Sequence, residues 1–425
     1  QKTVVRLGYG RSYSIGVFGS IFGHAVTQNL PVLAVQELNP STSTGSVFSL
    51  TQGPPAPVFP AVPANGLLPL PNNVFARALP LRQQVPTLDA WNLSIQHQIT
   101  PTMTVEVAYV GNKGTHVFAG DGPTINANQA TVVGYNPALP TCAAGIFTPQ
   151  TTCSLSQDAR KPFFQKFGWS QGIDSFANAG SSNYNSLQTK VEKSFHSGYQ
   201  FLAHYTWSRA ANYDSDYFAI DPSVNYGRIT WNRTHVFMLT NLVEMPFGRG
   251  KHFLSDANRA TDAILGGWQI NSITNWSSGI PFTLGMSGCG PSTDSGPCRP
   301  NIVGPFSVGA GDYNTAGNYV PYFSQVTLGA AGSPFARPAL GQFGNVGRNT
   351  FTGPGFFNAD LSVFKNFAVT ERVRAQFRTE IFNVFNHVNL GQPDTCVDCG
   401  SAGRITSIAA GTQQRNVQFG LKVSF

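Results

Sequence analysis

The chain has 425 residues, with only 11% charged, 12% aromatic, 44 Gly, 29 Pro and a formal net charge of +7. Low charge with abundant aromatic residues and Gly argues against a helical protein and against simple disorder, and fits many strands joined by turns and loops. The basic residues are scattered with no run of five, so nucleic acid is not expected as a partner. No stretch of about 18 apolar residues exists to form a membrane-spanning helix, a test that barrel strands escape because they are short and alternate.

Residues 3–10 read as a strand that begins almost at once. Residues 29–86 follow as a long Pro-, Gly-, Ser- and Thr-rich loop centred on Gly53-Pro54-Pro55-Ala56-Pro57. Trp91, Leu93 and Ile95 then alternate with Asn92, Ser94 and Gln96, and Met103, Val105, Val107 and Tyr109 alternate with Thr104, Glu106 and Ala108. The short Thr100-Pro101-Thr102 link makes these two a hairpin. A second hairpin turns at His196-Ser197-Gly198, between residues 184–195 and the alternating run Tyr199, Phe201, Ala203, Tyr205, Trp207. A third runs from residue 235 to 245, turns at Pro246-Phe247-Gly248-Arg249-Gly250-Lys251 and returns through Trp268, Ile270 and Trp276.

The next pair is the most informative. Phe357, Ala359, Leu361 and Val363 face one way, with Asn358, Asp360 and Ser362 opposite. After a turn near Ala368-Val369-Thr370, Val373, Ala375, Phe377 and Ile381 alternate with Arg372, Arg374, Gln376, Arg378 and Glu380. Such a polar face is open solvent in a soluble sandwich and a wet lumen in a barrel. The chain closes on Val417, Phe419, Leu421, Val423 and Phe425 at alternate positions. An ordinary half-buried edge strand has the same pattern, but an aromatic last residue on such a strand is the form of an outer-membrane assembly signal. On that reading Phe419, Leu421, Val423 and Phe425 carry the signal, and truncating Phe425 impairs insertion.

Residues 111–161, 212–231, 279–350 and 391–403 also read as long loops. Compact soluble domains rarely hold several connections of this length. Short turns at one end and long loops at the other is the outer-membrane arrangement. The fold class is therefore all-β: one antiparallel transmembrane barrel domain over residues 1–425, with about 12–14 strands.

Six cysteines fall in close pairs within loops, Cys142/Cys153, Cys289/Cys298 and Cys396/Cys399, and are read as local disulfides in an oxidising compartment. The single CxxC lacks a second half for zinc. Tyr213-Asp214-Ser215-Asp216-Tyr217 is a weak calcium candidate through Asp214 and Asp216, and a solvated loop explains it as well. No phosphate-binding loop, HExxH or nucleophile-elbow motif occurs, and the eight His are dispersed, so neither catalysis nor a cofactor is expected.

Several segments together resemble the barrel portion of TonB-dependent outer-membrane receptors, in particular the Oar-like group. They include Asp89-Ala90-Trp91-Asn92-Leu93-Ser94, Tyr109-Val110-Gly111-Asn112-Lys113-Gly114-Thr115-His116, His204-Tyr205-Thr206-Trp207-Ser208, Arg233-Thr234-His235, Gly266-Gly267-Trp268, Phe343-Gly344-Asn345-Val346-Gly347-Arg348, Phe382-Asn383-Val384-Phe385-Asn386-His387 and the terminal Phe425. The resemblance implies a share of a 22-stranded barrel in the bacterial outer membrane and active uptake of a scarce large solute. It implies outer-membrane lipid, the barrel-assembly machinery, a plug domain and TonB as partners. Arg372, Arg374, Arg378 and Glu380 would then face the lumen and touch plug or solute. No plug or TonB box is recognisable in these residues, so the expectation is a C-terminal fragment or a shortened gene product, with Gln1 a cut and Phe425 a genuine end. A porin-like passive channel and a surface structural or adhesion protein stay open as alternatives.

Overall fold

The structure, a computed structural model, describes all residues except 1, 15–22, 24–26, 34–45, 57–60, 67, 69, 73, 80, 83, 119–123, 137, 176, 214–215, 218–220, 289–296, 369 and 371. Its main element is an antiparallel meander of ten long strands. In chain order these are β1 (Thr3–Tyr13), β2 (Thr87–Thr100), β3 (Met103–Val117), β4 (Gly180–His196), β5 (Tyr199–Asn212), β6 (His235–Glu244), β7 (Trp268–Ser277), β8 (Phe356–Ala368), β9 (Arg374–Phe382) and β10 (Asn416–Ser424). Each pairs with its sequence neighbours, and the two-residue strand Gly227–Arg228 adds an eleventh member beside β5. This is fewer than the expected 12–14; the remaining strands are two- and three-residue pieces that form small ladders within the loops. Among the described residues β1 and β10 each pair on one side only.

The register puts like with like. Val5, Ile95, Val107, Thr189, Tyr205, Phe237, Trp276 and Phe357 are successive cross-strand partners, as are Leu361, Ile381 and Val417. The alternate rows hold Gln96, Glu106, Lys190 and His204, and Ser362, Glu380 and Gln418. Because the side-chain period is two, one slip would exchange the faces, so the pattern itself fixes the register. The apolar face carries exposed residues such as Leu7, Ile95, Val107, Phe419 and Leu421. Water does not tolerate such an area, and hydrocarbon does.

Turn chemistry separates the two ends. β2 and β3 are joined by Pro101-Thr102 alone, and β4 and β5 by Ser197 and Gly198, both at positive φ (53° and 80°), the two-residue turn whose twist suits a hairpin. The β6–β7 link departs from the expected short turn. It spans residues 245–267 and holds helix α1 (Arg259–Leu265), whose N-cap Asn258 accepts from the Thr261 N–H. Lys365, on the apolar face opposite Trp268, lies over that ring and donates to the carbonyls of Ile264 and Gly266 at the helix end, which relieves a cation on that face. No helix among the described residues is long and apolar enough to cross a membrane.

The opposite end carries the other long connections: residues 14–86, 118–179, 213–234, 278–355 and 383–415. The second of these begins later than its Gly-rich sequence suggests, since Gly111-Asn112-Lys113-Gly114 stays in the β3 ladder. Gly111 is required there: a Cβ would lie 2.6 Å from the Trp91 ring across the strand. The main buried core of the molecule is in these loops and not in the sheet. Phe282, Leu284, Tyr322, Phe323, Phe335, Val346, Val397, Ala402 and Ile405 form it, drawn from residues 278–355 and 383–415. Phe306 packs edge-on against Phe323, Phe335 and Phe351 at 5.6, 4.7 and 5.7 Å. Three two-stranded ladders, Pro281–Phe282 with Phe351–Thr352, Asn301–Ile302 with Phe335–Ala336, and Val320–Pro321 with Arg404–Ile405, hold the backbone.

Candidate functional site

Two places bring polar groups together. The first is the polar face of β8–β10. Arg378 stands opposite Phe364, with its guanidinium 4.9 Å from that ring, and its Nε donates to Gln376 Oε1 at 2.6 Å. Glu380 lies between Ser362 and Gln418, and Arg374 between Ala368 and Ser424. Arg372 departs from the expected stripe: it lies in the turn before β9, its N–H turned to Thr370 Oγ1. On β4 of the same face Lys190 pairs with Glu192 at 2.7 Å. This face is mixed in charge and wet, and it can line a passage for water and polar solute.

The second place is a cavity of about 900 Å³ at the loop end of β3–β5. Its floor is one cross-strand row of the apolar face, Tyr109, Leu187 and Trp207, followed by Asn185 and Arg209 in the next row. Tyr109 donates to Asn185 Oδ1 at 2.6 Å. The roof comes from residues 226–228 and 347–352. Arg228 ties the two roof segments together: its Nε donates to the Asn349 carbonyl at 2.7 Å, and its Nη atoms reach the Thr350 and Phe351 carbonyls and Thr352 Oγ1. Burial, and then the charge of Arg209, pull Arg228 below the ordinary guanidinium range. Arg348 donates to Asn212 Oδ1 and the Arg228 carbonyl. Gly227 permits this approach, since a Cβ there would meet the Arg348 carbonyl oxygen at 2.4 Å. Sequence reasoning missed Arg209, Tyr226, Arg228 and Arg348 as a group; the Gly-Arg pairs at 227–228 and 347–348 were the one available signal.

The cysteine pairs Cys142–Cys153 and Cys396–Cys399 are bonded. Cys298 is also disulfide-bonded, and Cys289 lies outside the described residues. Because Cys396 and Cys399 are bonded to each other, their closeness to Asp398 offers no thiolate pair for a metal. Asp398 works differently. Burial alone would raise its pKa, but the Ser287 N–H and hydroxyl, each at 2.7 Å, and the Arg337 guanidinium at 3.2 Å hold it below the ordinary carboxylate range. It thus links residues 287 and 337 of one long loop to 398 of the next. Of the calcium candidates, Asp214 lies outside the described residues, and Asp216 lies in the two-residue strand Asp216–Tyr217, where its side chain is not described.

A family model described as "Outer membrane beta barrel domain" matches residues 1–418. The chain belongs to that family. Its meander is therefore barrel wall of a bacterial outer-membrane protein. The last strand fits this placement: Val417, Phe419, Leu421 and Val423 all point to the apolar side and are 46–70% exposed, and Phe419 stacks on Phe377 of β9 at 6.1 Å. Among solved structures, the barrel is similar to the pyoverdine receptor FpvA of Pseudomonas aeruginosa (10% identity, 80% of this chain and 30% of that one, TM-score 0.36). It is also similar to the ferric-catecholate import receptor Fiu of E. coli K12 (9%, 80% and 28%, 0.36) and the outer-membrane transporter YddB of Escherichia coli (9%, 83% and 34%, 0.37). The chain thus spans about a third or less of the length of these proteins. No curated protein matches the chain.

Proposed function

We propose that the chain is barrel wall of a TonB-dependent outer-membrane transporter that takes up a scarce large solute, an oligosaccharide, peptide or metal chelate. The observation that carries this reading is the polar face of the meander, Gln96, Glu106, Lys190 and His204 on β2–β5 and Ser362, Glu380 and Gln418 on β8–β10, broken by Val236, Met238 and Leu242 of β6 and set behind an apolar face and beneath a layer of folded loops. A wall of this kind suits a wide lumen that is filled by a plug and covered by ordered loops. Arg374, Arg378 and Glu380 would contact plug or solute, with Arg372 at the turn end. The strand that ends at Phe425 would be read by the barrel-assembly machinery. Residues 1–425 form one barrel domain on this reading, with no catalysis of their own.

The test is uptake. Cells carrying the whole gene are compared with a deletion strain, on oligosaccharide, peptide or metal chelate at limiting concentration. Energised transport predicts uptake that stops when the proton-motive force is collapsed. Uptake that survives collapse, together with steady conductance of the purified chain in bilayers, would replace it with a passive channel. An unchanged uptake profile with altered surface attachment would replace it with a structural role.

A further inference from the structure

The cavity at the loop end of β3–β5 is built on the wrong face for a solute bound for the lumen. Its floor, Tyr109–Leu187–Trp207, belongs to the apolar rows that meet lipid. Trp207 lies eight residues beyond the Tyr199 turn end of β5. At about 3.3 Å per residue and a tilt of about 40°, that is roughly 20 Å of depth, near the upper border of an apolar band about 25 Å tall. The cavity therefore sits where lipid headgroups begin, on the side of the long loops.

Its charge is one-sided. Arg209, Arg228 and Arg348 line it, and none of its lining residues is Asp or Glu. Arg209 is exposed, and among the described residues no carboxylate pairs with it. Arg228 spends its donors on neutral acceptors, which hold the guanidinium without cancelling its charge. Two cations held close together at the edge of an aromatic wall gain from an anion between or beside them. The volume suits a sugar- or glycerol-sized group.

We propose that this cavity seats the phosphate-bearing headgroup of an outer-leaflet lipid, with Arg209 on the phosphate and the Trp207–Leu187–Tyr109 row against the lipid's apolar part. The seat rests on the barrel's placement in the outer membrane and is independent of the transport reading. An annular lipid fixed there would brace residues 226–228 and 347–352 against the wall, and so tie the loop core to the bilayer.

The experiment uses the 425-residue chain reconstituted in phosphatidylcholine nanodiscs doped with a bisphosphorylated glycolipid or its dephosphorylated form, with retained glycolipid counted by native mass spectrometry. The phosphorylated form should be retained selectively. Arg209→Gln should lower that retention roughly tenfold, the scale of a lost charge-assisted hydrogen bond. Arg209→Lys should keep most of it, and Arg259→Gln at the turn end should leave it unchanged. Trp207→Ala gives a second route to loss that leaves the charge in place, and heat-modifiable mobility verifies that each variant is folded. Equal retention of both glycolipids, equal retention by Arg209→Gln and Arg259→Gln, or displacement by free pyrophosphate at matched concentration would overturn the proposal; the last would mark a site for soluble anions instead.

Discussion

Phe419 and Phe335 are the same side chain put to opposite uses. Phe419, in the last strand, is 67% exposed and stacks on its neighbour Phe377, whereas Phe335, in a loop, is wholly buried among Phe306, Phe323 and Val346. Full burial of such a side chain contributes about 1.5–3 kcal/mol. For Phe335 the protein supplies that burial. For Phe419, on the proposed placement, the bilayer supplies it. The sheet is folded by its backbone ladder and carries its apolar side chains outward, while the loops at one end are folded around a core of their own, as a small soluble domain would be. Substitutions should therefore act through the solvent in one region and through packing in the other.

The largest expected effect is in the loop core. Phe335→Ala should cost about 3–5 kcal/mol locally, seen as faster amide exchange over residues 278–355 and 383–415 with β2–β5 unchanged. Loss of protection in both regions alike would mean that they fold as one unit. Next comes the lipid face. Leu421→Arg should destabilise the membrane-inserted state by about 2–4 kcal/mol, while Gln418→Arg on the lumen side should have little effect; urea titration of the reconstituted protein reads both, and equal costs would erase the distinction between the faces. The third contrast lies among the disulfides. Opening Cys142–Cys153, eleven residues apart, should cost the unfolded-state restraint of a longer loop, about 3 kcal/mol against about 2 for Cys396–Cys399, three apart. Limited proteolysis of the two Cys→Ser pairs would compare them, and a reversed order would mean that local packing outweighs chain entropy.

The smallest effect concerns pH. Asp398 has its pKa lowered in the folded loops, so its contribution is full above the unfolded value of about 3.9 and is lost as pH falls through the lower folded value. Amide protection around residues 287, 337 and 398 should therefore weaken in that acid range and be insensitive to it in Asp398→Asn. A variant that keeps the same acid response would assign it to another carboxylate.

The two regions also differ in how far the sequence revealed them. The sheet was legible because one face of each strand must be apolar, which writes a period of two into runs such as Phe357 to Val363 and Val417 to Phe425. The hairpin turns at Pro101-Thr102 and Ser197-Gly198 were legible for the same local reason. The loop core was not, because Phe282, Phe306, Phe323, Phe335 and Phe351 recur with no period, and their contacts are set by backbone ladders two residues long. Arg372 was carried into β9 by alternation although the turn ends after it. The rim cavity was illegible for a related reason: Arg209, Arg228 and Arg348 come from three separate segments that only the fold brings together.

The central claim is that β10 stands between lipid and lumen. Spin labels placed singly at residues 417–424 of the reconstituted chain test it most directly, through relaxation by oxygen, which enters lipid, and by a polar nickel chelate, which stays in water. The account predicts a period of two: labels at Val417, Phe419, Leu421 and Val423 relaxed by oxygen, and labels at Gln418, Gly420, Lys422 and Ser424 relaxed by the chelate. Uniform access of the chelate to all eight positions would contradict it.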